Sequence, residues 1–594
     1  MKTYKENYPR PQFVREQWEC LNGSWQFAFD DDRQGEKEQW FMNFPNGQEI
    51  RVPFTYETKS SGIQDESVHE TVWYQRMIQI DEIPVEKRLM IHFEGSDYIT
   101  RVWVNGHYVG EHTGAYSRFS FDITEHLHTG SNRITVKAED SLDERQPRGK
   151  QRWIPESYGC WYVQTTGIWK TVWMEWVPES HIVSLKMTPS VTKKNMELEL
   201  QADMKQDGSL YEIEAVIEFE GTQINRMRMD LERPYWKGTM DVYCKKIFEW
   251  GIKTWSAVHP DLYDISFRLL RDKKVVDQVD SYFGMREISI RDQKVLMNGR
   301  PIYQRLILDQ GYWKDSHLTP PDEEALKTDI RKIKELGYNG VRKHQKIEDE
   351  RFLYWCDRLG LYVWSEMGAA YEFSGEGAAA FSAQWTEIVQ QNYNHPSIIT
   401  WVPFNESWGI QDVGREAQQQ HFTEGVYHLT KTLDSMRPVI VNDGWEHTVS
   451  DIITLHSYEM DPELFYQMFQ DHMDDILSGR MAHNGFKYAF AQGYSYRGQP
   501  VLISEFGGIA LKNDSEGWGY GDMAGSKEEY CRRFDAIVTA AKHVTGFCGY
   551  CYTQITDVQQ EINGILDEDR QCKVDPEVIR EINERFTGVY QNTY

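Results

Sequence analysis

The sequence predicts a multidomain protein with an N-terminal β jelly roll, an immunoglobulin-like β-sandwich and a C-terminal (β/α)8 TIM barrel. Three patterns predict this order. Short aromatic runs separated by turns fill residues 1–180, period-two runs occur in 181–285, and apolar strands alternate with helical segments over 286–594. At 594 residues the chain is several times longer than a usual domain, so three domains fit its length.

The N-terminal segment carries the pattern of many short β-strands. Arg101–Val104 and His107–Val109 are two apolar runs separated by Asn105-Gly106. Asn-Gly between such runs is the strongest short-range hairpin signal, because both turn residues need positive φ. Repeated short strands with turns between them predict a sandwich or a jelly roll.

The second segment is patterned for half-buried strands. Glu212–Ala215 and Ile217–Glu220 alternate apolar and charged residues, so one face of each strand is apolar and the other charged. About a hundred residues suit an immunoglobulin-like sandwich. No Cys…Trp…Cys framework is present, so the antibody subtype is not implied.

From residue 286 the pattern changes to strand–helix alternation. A strand is predicted at Pro301–Leu308, followed by a helix start at Thr319 as N-cap, with Pro320 in the first helical position and Asp322 closing a capping box. Gly337 is predicted to stop this helix.

Seven further barrel strands are predicted by apolar runs, each spaced widely enough for an intervening helix: Gly340–Lys343, Leu361–Trp364, Ile398–Phe404, Pro438–Val441, Ile452–His456, Val501–Ser504 and Phe547–Tyr552. With the first, they make eight βα units over about 300 residues. That pattern predicts a TIM barrel better than any other fold.

Composition narrows the classes of function. The 65 Lys and Arg against 92 Asp and Glu give a net charge of −27, which argues against nucleic-acid binding. No stretch of about 18 apolar residues is present, so we expect no membrane-spanning helix. Met1–Arg10 lacks the apolar core of a secretory signal, and we therefore expect a cytoplasmic protein.

The eight cysteines are expected to be reduced thiols. Cys548-Gly549-Tyr550-Cys551 has thioredoxin-like spacing, but it lies inside an apolar run rather than at a helix start, which favours a core strand over a redox motif. No Cys/His cluster has zinc-ligand spacing. The sequence therefore predicts neither a metal nor a cofactor.

Two carboxylates follow predicted barrel strands. Glu406 ends the fourth strand and Glu505 ends the seventh, each directly after an apolar run where burial should raise the pKa. In TIM barrels the reactive groups lie at these strand ends. Two such carboxylates suit glycoside hydrolysis, in which one must stay protonated and the other ionised. The structural alternative is that each pairs with an arginine as a barrel strut.

Several motifs resemble glycoside hydrolase family 2. The stretch from His395–Trp401 through Asn405-Glu406 resembles the family's acid/base signature, and Ser504–Gly507 resembles its nucleophile strand. Cys356–Glu366 is similar to the family's approach to the third strand. Trp103–Gly106 and Thr166–Trp169 are similar to two stretches of its N-terminal domain. The resemblance covers almost the whole chain and the same order of domains.

The resemblance implies roles for five residues. Glu406 would be the acid/base and Glu505 the nucleophile of a retaining enzyme, and Asn405 would hydrogen-bond the sugar 2-OH. Tyr458 resembles the tyrosine that modulates the charge of the nucleophile. Arg342 resembles the arginine beneath it, where a buried cation would hold Glu505 ionised.

Four further residues are candidates for substrate binding. His344 lies where the family often has a sugar-contacting histidine, although a surface-loop histidine is an equal alternative. Asp309 at the end of the first strand and Trp161 are expected to shape the sugar pocket, with packing as the alternative for Trp161. Tyr552, at the end of the eighth strand, is also expected to contact substrate.

The identity of the sugar is harder to predict. Glucuronidases of the family carry Asn-x-Lys after the eighth strand, whereas Glu561–Asn563 lacks the lysine, which favours a β-galactosidase-like enzyme. The alternatives are a β-glucuronidase or β-galacturonidase that uses Arg342, Lys343 or Lys346 for the carboxylate, or an α-L-arabinofuranosidase. A non-catalytic carbohydrate-binding protein is the alternative from another class. A carbohydrate is the expected partner, and a homo-oligomer is left open.

Overall fold

The structure, a computed structural model, describes residues 7–245, 249, 251–512 and 517–585. The first six residues of the N-terminal stretch considered for a secretory signal therefore lie outside the described residues. Within the described part, no helix is long and apolar enough to cross a membrane.

The N-terminal domain is a β-sandwich with short 3-10 turns at Lys59–Ser61 and Thr124–His126. Its strands are β1 (Trp18–Cys20), β2 (Gly23–Phe29), β3 (Gln48–Val52), β4 (Thr71–Ile80), β5 (Lys87–Phe93), β6 (Ser96–Asp97), β7 (Ile99–Val104), β8 (His107–Thr113), β9 (Phe119–Asp122), β10 (Gly130–Glu139), β11 (Gly167–Ile168) and β12 (Val172–Pro178). A six-stranded sheet, ordered β3-β2-β4-β10-β7-β8, and a four-stranded sheet, ordered β1-β12-β5-β9, bury a shared apolar core.

The predicted hairpin is present in this domain. β7 and β8 pair antiparallel through Asn105 and Gly106, whose φ values are 50° and 86°. Asn105 also donates from Nδ2 to Asn132 Oδ1 at 2.8 Å, which fixes the turn to the neighbouring strand. The positive φ values explain why Asn-Gly stands here.

The central domain is an immunoglobulin-like sandwich, as predicted. Its strands are β13 (His181–Ser190), β14 (Asn195–Asp203), β15 (Tyr211–Phe219), β16 (Thr222–Asp230), β17 (Tyr235–Asp241), β18 (Tyr263–Arg271) and β19 (Lys274–Phe283). They form sheets ordered β13-β14-β17 and β16-β15-β18-β19. Along β15, Ile213 and Ile217 enter the core, whereas Glu214 on the opposite face pairs with Arg226 and Arg268.

A small sheet of β20 (Ile288–Arg291), β21 (Lys294–Met297) and β22 (Arg300–Pro301) leads into the barrel. Ile288, Val295 and Met297 from this sheet belong to the same apolar cluster as inward-facing barrel residues such as Leu306 and Trp364. The small sheet therefore extends the barrel core.

The C-terminal domain is the predicted TIM barrel. Its strands are β23 (Gln304–Asp309), β24 (Gly340–Lys343), β25 (Tyr362–Glu366), β26 (Ile398–Val402), β27 (Phe404–Asn405), β28 (Asn442–Asp443), β29 (Ile453–His456), β30 (Val501–Glu505) and β31 (Phe547–Tyr552). Its helices are α1 (Glu323–Glu335), α2 (Glu350–Leu359), α3 (Gly375–Asn392), α4 (Ala417–Leu433), α5 (Pro462–Asp471), α6 (Met473–Leu477), α7 (Lys527–His543) and α8 (Pro576–Glu584). All ladders between these strands are parallel.

The fourth and fifth strands differ from the prediction. The fourth is divided at Pro403, which has no N–H for the ladder, into β26 and β27. The fifth strand is predicted at 438–441, but the parallel ladder with β27 forms just after that range, at β28. Within the predicted range, Val439 makes an isolated bridge to Trp401. A loop rather than a helix joins β28 to β29, because fewer than ten residues separate these strands.

The start of α1 also differs from the prediction. Asp322, not Thr319, is the N-cap, and its side chain accepts a hydrogen bond from the Ala325 N–H at 2.8 Å. Thr319 instead donates its hydroxyl proton to the Trp169 carbonyl at 2.6 Å, joining the barrel to the N-terminal domain. The helix ends before Gly337, whose φ is 84°, as predicted.

The two closely spaced cysteines are part of the barrel core. Cys548 and Cys551 lie on β31, are buried and are free thiols, like the other six cysteines. Burial raises the pKa of Cys548 to about 12. Neither thiol is therefore placed for thiolate chemistry.

The N-terminal domain covers one side of the barrel mouth. The backbone N–H groups of Arg148 and Gly149 donate to the Ala369 carbonyl at 2.9 and 3.0 Å. Tyr371 donates its hydroxyl proton to the Gly149 carbonyl at 2.6 Å. These contacts with the loop after β25 hold Lys150 over the ends of the barrel strands. The short segment around Tyr162, which pairs with the backbone at Lys150, is held there with it.

Candidate active site

Polar side chains from several barrel strands meet at one mouth. Arg342, Glu366, His456 and Glu505 each lie at or near the C-terminal end of a strand, and Glu406 directly follows β27. Parallel barrel strands end on the same face, so residues that are far apart in sequence converge there. This face is the one that carries the reactive groups in TIM barrels.

The two predicted carboxylates lie close together. One carboxylate oxygen of Glu406 is within 4.8 Å of one of Glu505. The Glu505 side chain is 6% exposed and that of Glu406 is 20% exposed, so both are shielded and Glu406 is the more open. The sequence therefore located the pair, and the tertiary structure supplies the separation.

Arg342 organises the base of this site. The side chain is fully buried, and its guanidinium lies 2.6 Å from Glu366, 2.7 Å from Asp443 and 3.0 Å from Oε1 of Glu505. It also donates to Oδ1 of Asn405 at 2.8 Å. A fixed buried cation stabilises negative charge on the carboxylates around it. Glu505 is thus anchored by an arginine, but its second oxygen faces other partners.

Tyr458 holds that second oxygen. Its hydroxyl donates to Oε2 of Glu505 at 2.6 Å and lies 3.2 Å from Oγ1 of Thr553. The ring stacks on Tyr520 with centroids 3.4 Å apart. Burial, and then the Glu505 charge, raise the pKa of Tyr458 well above its usual value, so the hydroxyl keeps its proton and remains a donor.

His456 lies between the two glutamates, and the sequence analysis did not identify it. Its Nδ1 is 2.8 Å from Oε1 of Glu406 and 3.6 Å from Oε2 of Glu505, and its Nε2 is 2.8 Å from Asp443. Burial opposes the charged imidazolium, but the surrounding carboxylates prevail and raise the pKa of His456 to about 10.

The charge on His456 reverses one expectation. Burial acts to raise the pKa of Glu406, as the sequence predicted, but the hydrogen bond and charge of His456 bring it below the usual value. The prediction of a raised pKa is therefore wrong for Glu406, because a cation that could not be located from sequence lies beside it. Glu406 and His456 together form an ion pair that shares one proton.

The backbone at Glu406 is constrained. Glu406 and Ser407 have φ values of 52° and 59°, in the left-handed region that non-glycine residues seldom adopt. The Glu406 N–H donates to the Asp443 carbonyl at 2.9 Å, and the Ser407 N–H donates to Oδ1 of Asn442 at 3.0 Å. Such conformations cluster at functional sites, where the surrounding structure holds them.

Asn405 retains an unused donor. Its Oδ1 accepts from Arg342, whereas its buried Nδ2 has no hydrogen-bond partner among the described residues. A buried polar group without a partner is destabilising unless something else pairs with it. This geometry fits the predicted contact with a sugar hydroxyl.

Two further candidates are held by buried contacts with charged groups. His344 is not on a surface loop: it is buried, and its Nδ1 lies 2.9 Å from Glu366 and 3.0 Å from Arg342. Burial and Arg342 lower its pKa, so it is neutral. Asp309 contacts Lys343 Nζ at 2.7 Å and accepts from the Gly311 N–H at 2.7 Å, which occupies both oxygens.

Trp161 belongs to an aromatic wall above the mouth. It contacts Trp153, Tyr158, Tyr371 and Trp408 at ring-centroid distances of 5.0 to 5.8 Å. Trp161 is partly exposed, and Trp408 is two residues beyond Glu406. The packing alternative therefore holds among these rings, and part of the Trp161 side chain remains accessible to solvent.

Tyr552 does not lie in the mouth. It is fully buried, with Phe506 and Phe534 at centroid distances of 5.6 and 4.9 Å. Phe534 is on α7, so the Tyr552 ring faces the helix layer, whereas its neighbour Cys551 faces the barrel interior. The prediction that Tyr552 contacts substrate is wrong, because alternate residues of a strand face opposite sides.

Lys150 reaches the mouth from the N-terminal domain. Its Nζ is 3.2 Å from Sγ of Cys160, and within the described part of the chain no carboxylate oxygen lies within 4.0 Å of it. Burial opposes its charge, but Cys160, Tyr371, Glu561 and other acidic groups raise its pKa. Lys150 is therefore a buried cation without a direct anionic partner.

The segment after the eighth strand brings a carboxyl group and an amide, but no lysine, to the mouth. Glu561 accepts a hydrogen bond from the Tyr162 hydroxyl at 2.5 Å and another from Asn563 Nδ2 at 3.0 Å. Burial raises the pKa of Glu561 above its usual value. This corner of the mouth is therefore lined with hydroxyl, amide and carboxyl groups.

Glu406, His456 and Glu505 also bring possible metal-ligand atoms within 4.8 Å of one another. Both ring nitrogens of His456 are directed at carboxylate oxygens. In that protonated form the ring has no lone pair to offer an ion. The arrangement therefore suits proton sharing between these groups.

Comparison with known proteins agrees with this architecture. The family models described as Glycosyl hydrolases family 2 match in three parts: the sugar binding domain at residues 18–158, the central model at 180–286 and the TIM barrel domain at 288–587.

Among curated proteins, the chain is 26% identical over 454 residues to a Formosa agariphila protein provisionally named a β-glucuronidase, covering 74% of this chain and 52% of that protein. It is also 26% identical over 526 residues to a β-galactosidase of Thermoanaerobacter pseudethanolicus, covering 85% of this chain and 67% of the relative. The chain thus spans about half the length of the first of these relatives.

Among solved structures, a Ruminococcus gnavus β-glucuronidase in complex with D-glucuronic acid superposes with a TM-score of 0.78 at 18% identity. The match covers 98% of this chain and all of that one. At this identity the likeness shows a shared fold.

Proposed function

Because the chain belongs to glycosyl hydrolase family 2, and is therefore a glycosidase, we propose that it is a retaining exo-glycosidase that removes a terminal β-linked sugar by double displacement. The observation that carries the proposal is the separation of the Glu406 and Glu505 carboxylates, whose nearest ligand oxygens lie within 4.8 Å. Retaining enzymes hold their carboxyl groups about 5–5.5 Å apart, and inverting enzymes about 6.5–9.5 Å.

The geometry supports different roles for the two glutamates. Glu505, held by Arg342 and Tyr458, is the nucleophile: its carboxylate attacks the anomeric carbon and forms a covalent glycosyl-enzyme. Glu406, the more exposed of the two, donates a proton to the leaving oxygen and later takes one from the attacking water. Asn405 binds the sugar 2-OH through its unpaired Nδ2.

His456 supplies the proton that Glu406 donates. In the free enzyme the proton lies on Nδ1 of His456, 2.8 Å from Oε1 of Glu406. Transfer along this hydrogen bond gives a neutral imidazole and a protonated Glu406, which then protonates the leaving oxygen. Asp443, on the other ring nitrogen, holds the imidazole in place. Enzymes commonly use such an orienting carboxylate behind a histidine.

A neutral sugar such as galactose is the preferred terminal residue in this proposal. Arg342, Lys343 and Lys346 do not reach a substrate carboxylate readily, because each is buried and already bonded to acidic or carbonyl groups. The stretch Glu561–Asn563, which resembles the place where glucuronidases of the family carry Asn-x-Lys, has no lysine. Glu561, Asn563 and Tyr162 therefore present hydroxyl-binding groups rather than a cation at this corner.

A uronide is the second candidate, and Lys150 is the observation that favours it. This buried cation has a thiol as its only close polar side-chain partner among the described residues. A uronate carboxylate would supply the missing counter-charge. The names of the relatives include both a β-galactosidase and a β-glucuronidase, so they favour neither candidate.

A panel of nitrophenyl glycosides tests these candidates. We expect kcat/KM to be higher for the β-galactoside than for the β-glucuronide and β-galacturonide. Turnover of uronides alone would overturn the neutral-sugar proposal. In that case Lys150→Met should remove most uronide activity, whereas Lys59→Met, at an exposed lysine of the same domain, should not change it. Absence of turnover on every glycoside would favour the non-catalytic alternative.

Azide distinguishes the two glutamates. Glu505→Ala should abolish hydrolysis of every substrate, because no glycosyl-enzyme can form. Glu406→Ala should lose much less on an aryl glycoside whose leaving group needs no proton, and added azide should accelerate it and give the β-glycosyl azide from a β-glycoside. If azide instead gave the retained product with Glu505→Ala and the inverted one with Glu406→Ala, the two roles would be exchanged.

A further inference from the structure

A cleft with a volume of about 850 Å³ is lined in part by the loop that begins with Glu406. Its walls are the loop after β27 (residues 411–416), Glu446 from the loop after β28, and parts of the segment 478–494 before β30. Ligand pockets usually have volumes of roughly 300–1,000 Å³, so the cleft can hold a ligand larger than one small group. The reaction at Glu406 and Glu505 does not use it.

Hydrogen bonds connect this cleft to the acid/base side of the active site. Ser407, the residue after Glu406, donates its hydroxyl proton to Oε2 of Glu446 at 2.6 Å, and Lys487 Nζ lies 2.8 Å from the same oxygen. One hydrogen bond therefore links a wall residue of the cleft, Glu446, to the residue that follows Glu406. In the proposed reaction Glu406 protonates the leaving oxygen, so the leaving group departs on this side.

The lining of the cleft combines exposed rings with polar groups. Phe486 is 96% exposed, more than any other large apolar side chain in the described residues, and Tyr488 is 43% exposed. Gln411, Arg415 and Gln492 add polar side chains to the same cleft. Exposed aromatic faces stack on the C–H faces of sugars, while amide and guanidinium groups bond their hydroxyls. Exposed rings that are rimmed by polar groups are typical of ligand-binding grooves.

We propose that this cleft binds the sugar units on the leaving-group side of an oligosaccharide, with Phe486 and Tyr488 as stacking surfaces. This inference rests on the proposed function, because it uses the direction of departure set by Glu406. It extends that function by naming an oligosaccharide, rather than a small aryl or alkyl glycoside, as the class of substrate.

The first experiment compares two substrates with the same terminal sugar, 4-nitrophenyl β-galactoside and β-1,4-galactotriose. In the double variant Phe486→Ala/Tyr488→Ala we expect kcat/KM for the trisaccharide to fall about tenfold, because the sugar units lose their aromatic contacts. The kcat/KM for the aryl glycoside should change less than about twofold, because this substrate does not reach the two rings. Tyr108→Ala, at a 54% exposed tyrosine of the N-terminal domain, is the matched control and should change neither. An equal effect on both substrates, or no effect on either, would overturn the proposal.

A second experiment does not depend on turnover. Isothermal titration of the Glu505→Ala protein with β-1,4-galactobiose, the part that leaves from the trisaccharide, should show binding that is lost when Phe486→Ala is added. Absence of binding by Glu505→Ala overturns the cleft assignment even if aryl glycosides are hydrolysed. Binding without hydrolysis by the wild-type protein supports the cleft and contradicts the proposed function, so the two failures are distinct.

Discussion

Replacing His456 with Gln tests whether the acid/base shares its proton with a histidine. His456 is surrounded by the carboxylates of Glu505, Asp443 and Glu406, and these acidic groups raise its pKa from 6.5 to about 10. Because a tenfold change in an equilibrium constant is worth about 1.4 kcal/mol, this raised pKa stabilises the charged imidazolium by roughly 5 kcal/mol. The Glu406–His456 pair should therefore keep one proton between the low pKa of Glu406 and about pH 10.

The pH profile follows from this sharing. While the pair holds one proton, the fraction of enzyme with that proton on Glu406 does not change with pH, so the alkaline limb of kcat/KM should lie near pH 10. In His456→Gln the limb should be set by Glu406 alone and move to lower pH. Above its new limb the variant should lose about tenfold in rate per pH unit.

The assay should use a phenyl or methyl glycoside, whose poor leaving group needs the acid, over pH 4 to 10.5. A dinitrophenyl glycoside, which needs no acid, checks that the nucleophile still works in the variant. His421→Gln, at a histidine whose side chain is 77% exposed, is the matched control and should keep the wild-type profile. An unchanged alkaline limb in His456→Gln would refute the proton-sharing mechanism, because Glu406 would then hold its own proton.

Three further predictions concern single contacts. Tyr458→Phe should lower kcat by about tenfold to a hundredfold through loss of the 2.6 Å hydrogen bond to Glu505, measured with an aryl glycoside. Arg15→Ala should reduce the free energy of unfolding by about 3–5 kcal/mol in a denaturant titration, because Arg15 joins a buried carboxylate of the jelly roll to one of the sandwich, whereas exposed Arg33→Ala should have little effect. Burial raises the pKa of Glu57 from 4.5 to about 8, so the native state holds a proton that the unfolded chain has lost, and stability should fall as pH rises from about 4.5 through 8. Glu57→Gln should remove that decline, so a Tm difference between pH 5 and pH 8 that is the same in both proteins would contradict this reasoning.

The sequence was sufficient for the parts of the protein that depend on local pattern. Eight apolar runs indicated the barrel, and Asn105-Gly106 indicated a hairpin, because backbone conformation and burial leave periodic marks on the chain. Glu406 and Glu505 were found because residues after parallel strands must share one face. Even so, the fifth strand was displaced by a few residues and one helix was absent, since neighbouring strands decide where a ladder forms.

Side-chain orientation was harder to predict from the sequence. The place of Tyr552 at the end of a strand predicts a contact with substrate, but the position of a residue in a strand fixes its face only when the register is known. The structure turns Tyr552 toward α7 and turns its neighbour Cys551 inward. Thr319 was assigned as an N-cap on the same local grounds, but its hydroxyl bonds another domain.

The charge state of the site was decided by tertiary structure alone. His456 and Glu406 are 50 residues apart, and Lys150 comes from a different domain, so no spacing rule connects them. Electrostatic interactions depend on distance and on burial, both of which arise only when the chain has folded. The sequence by itself therefore determined which carboxylates face the barrel mouth. The folded structure determined that Glu406 shares its proton with His456, and that the charge of Lys150, from another domain, acts on it.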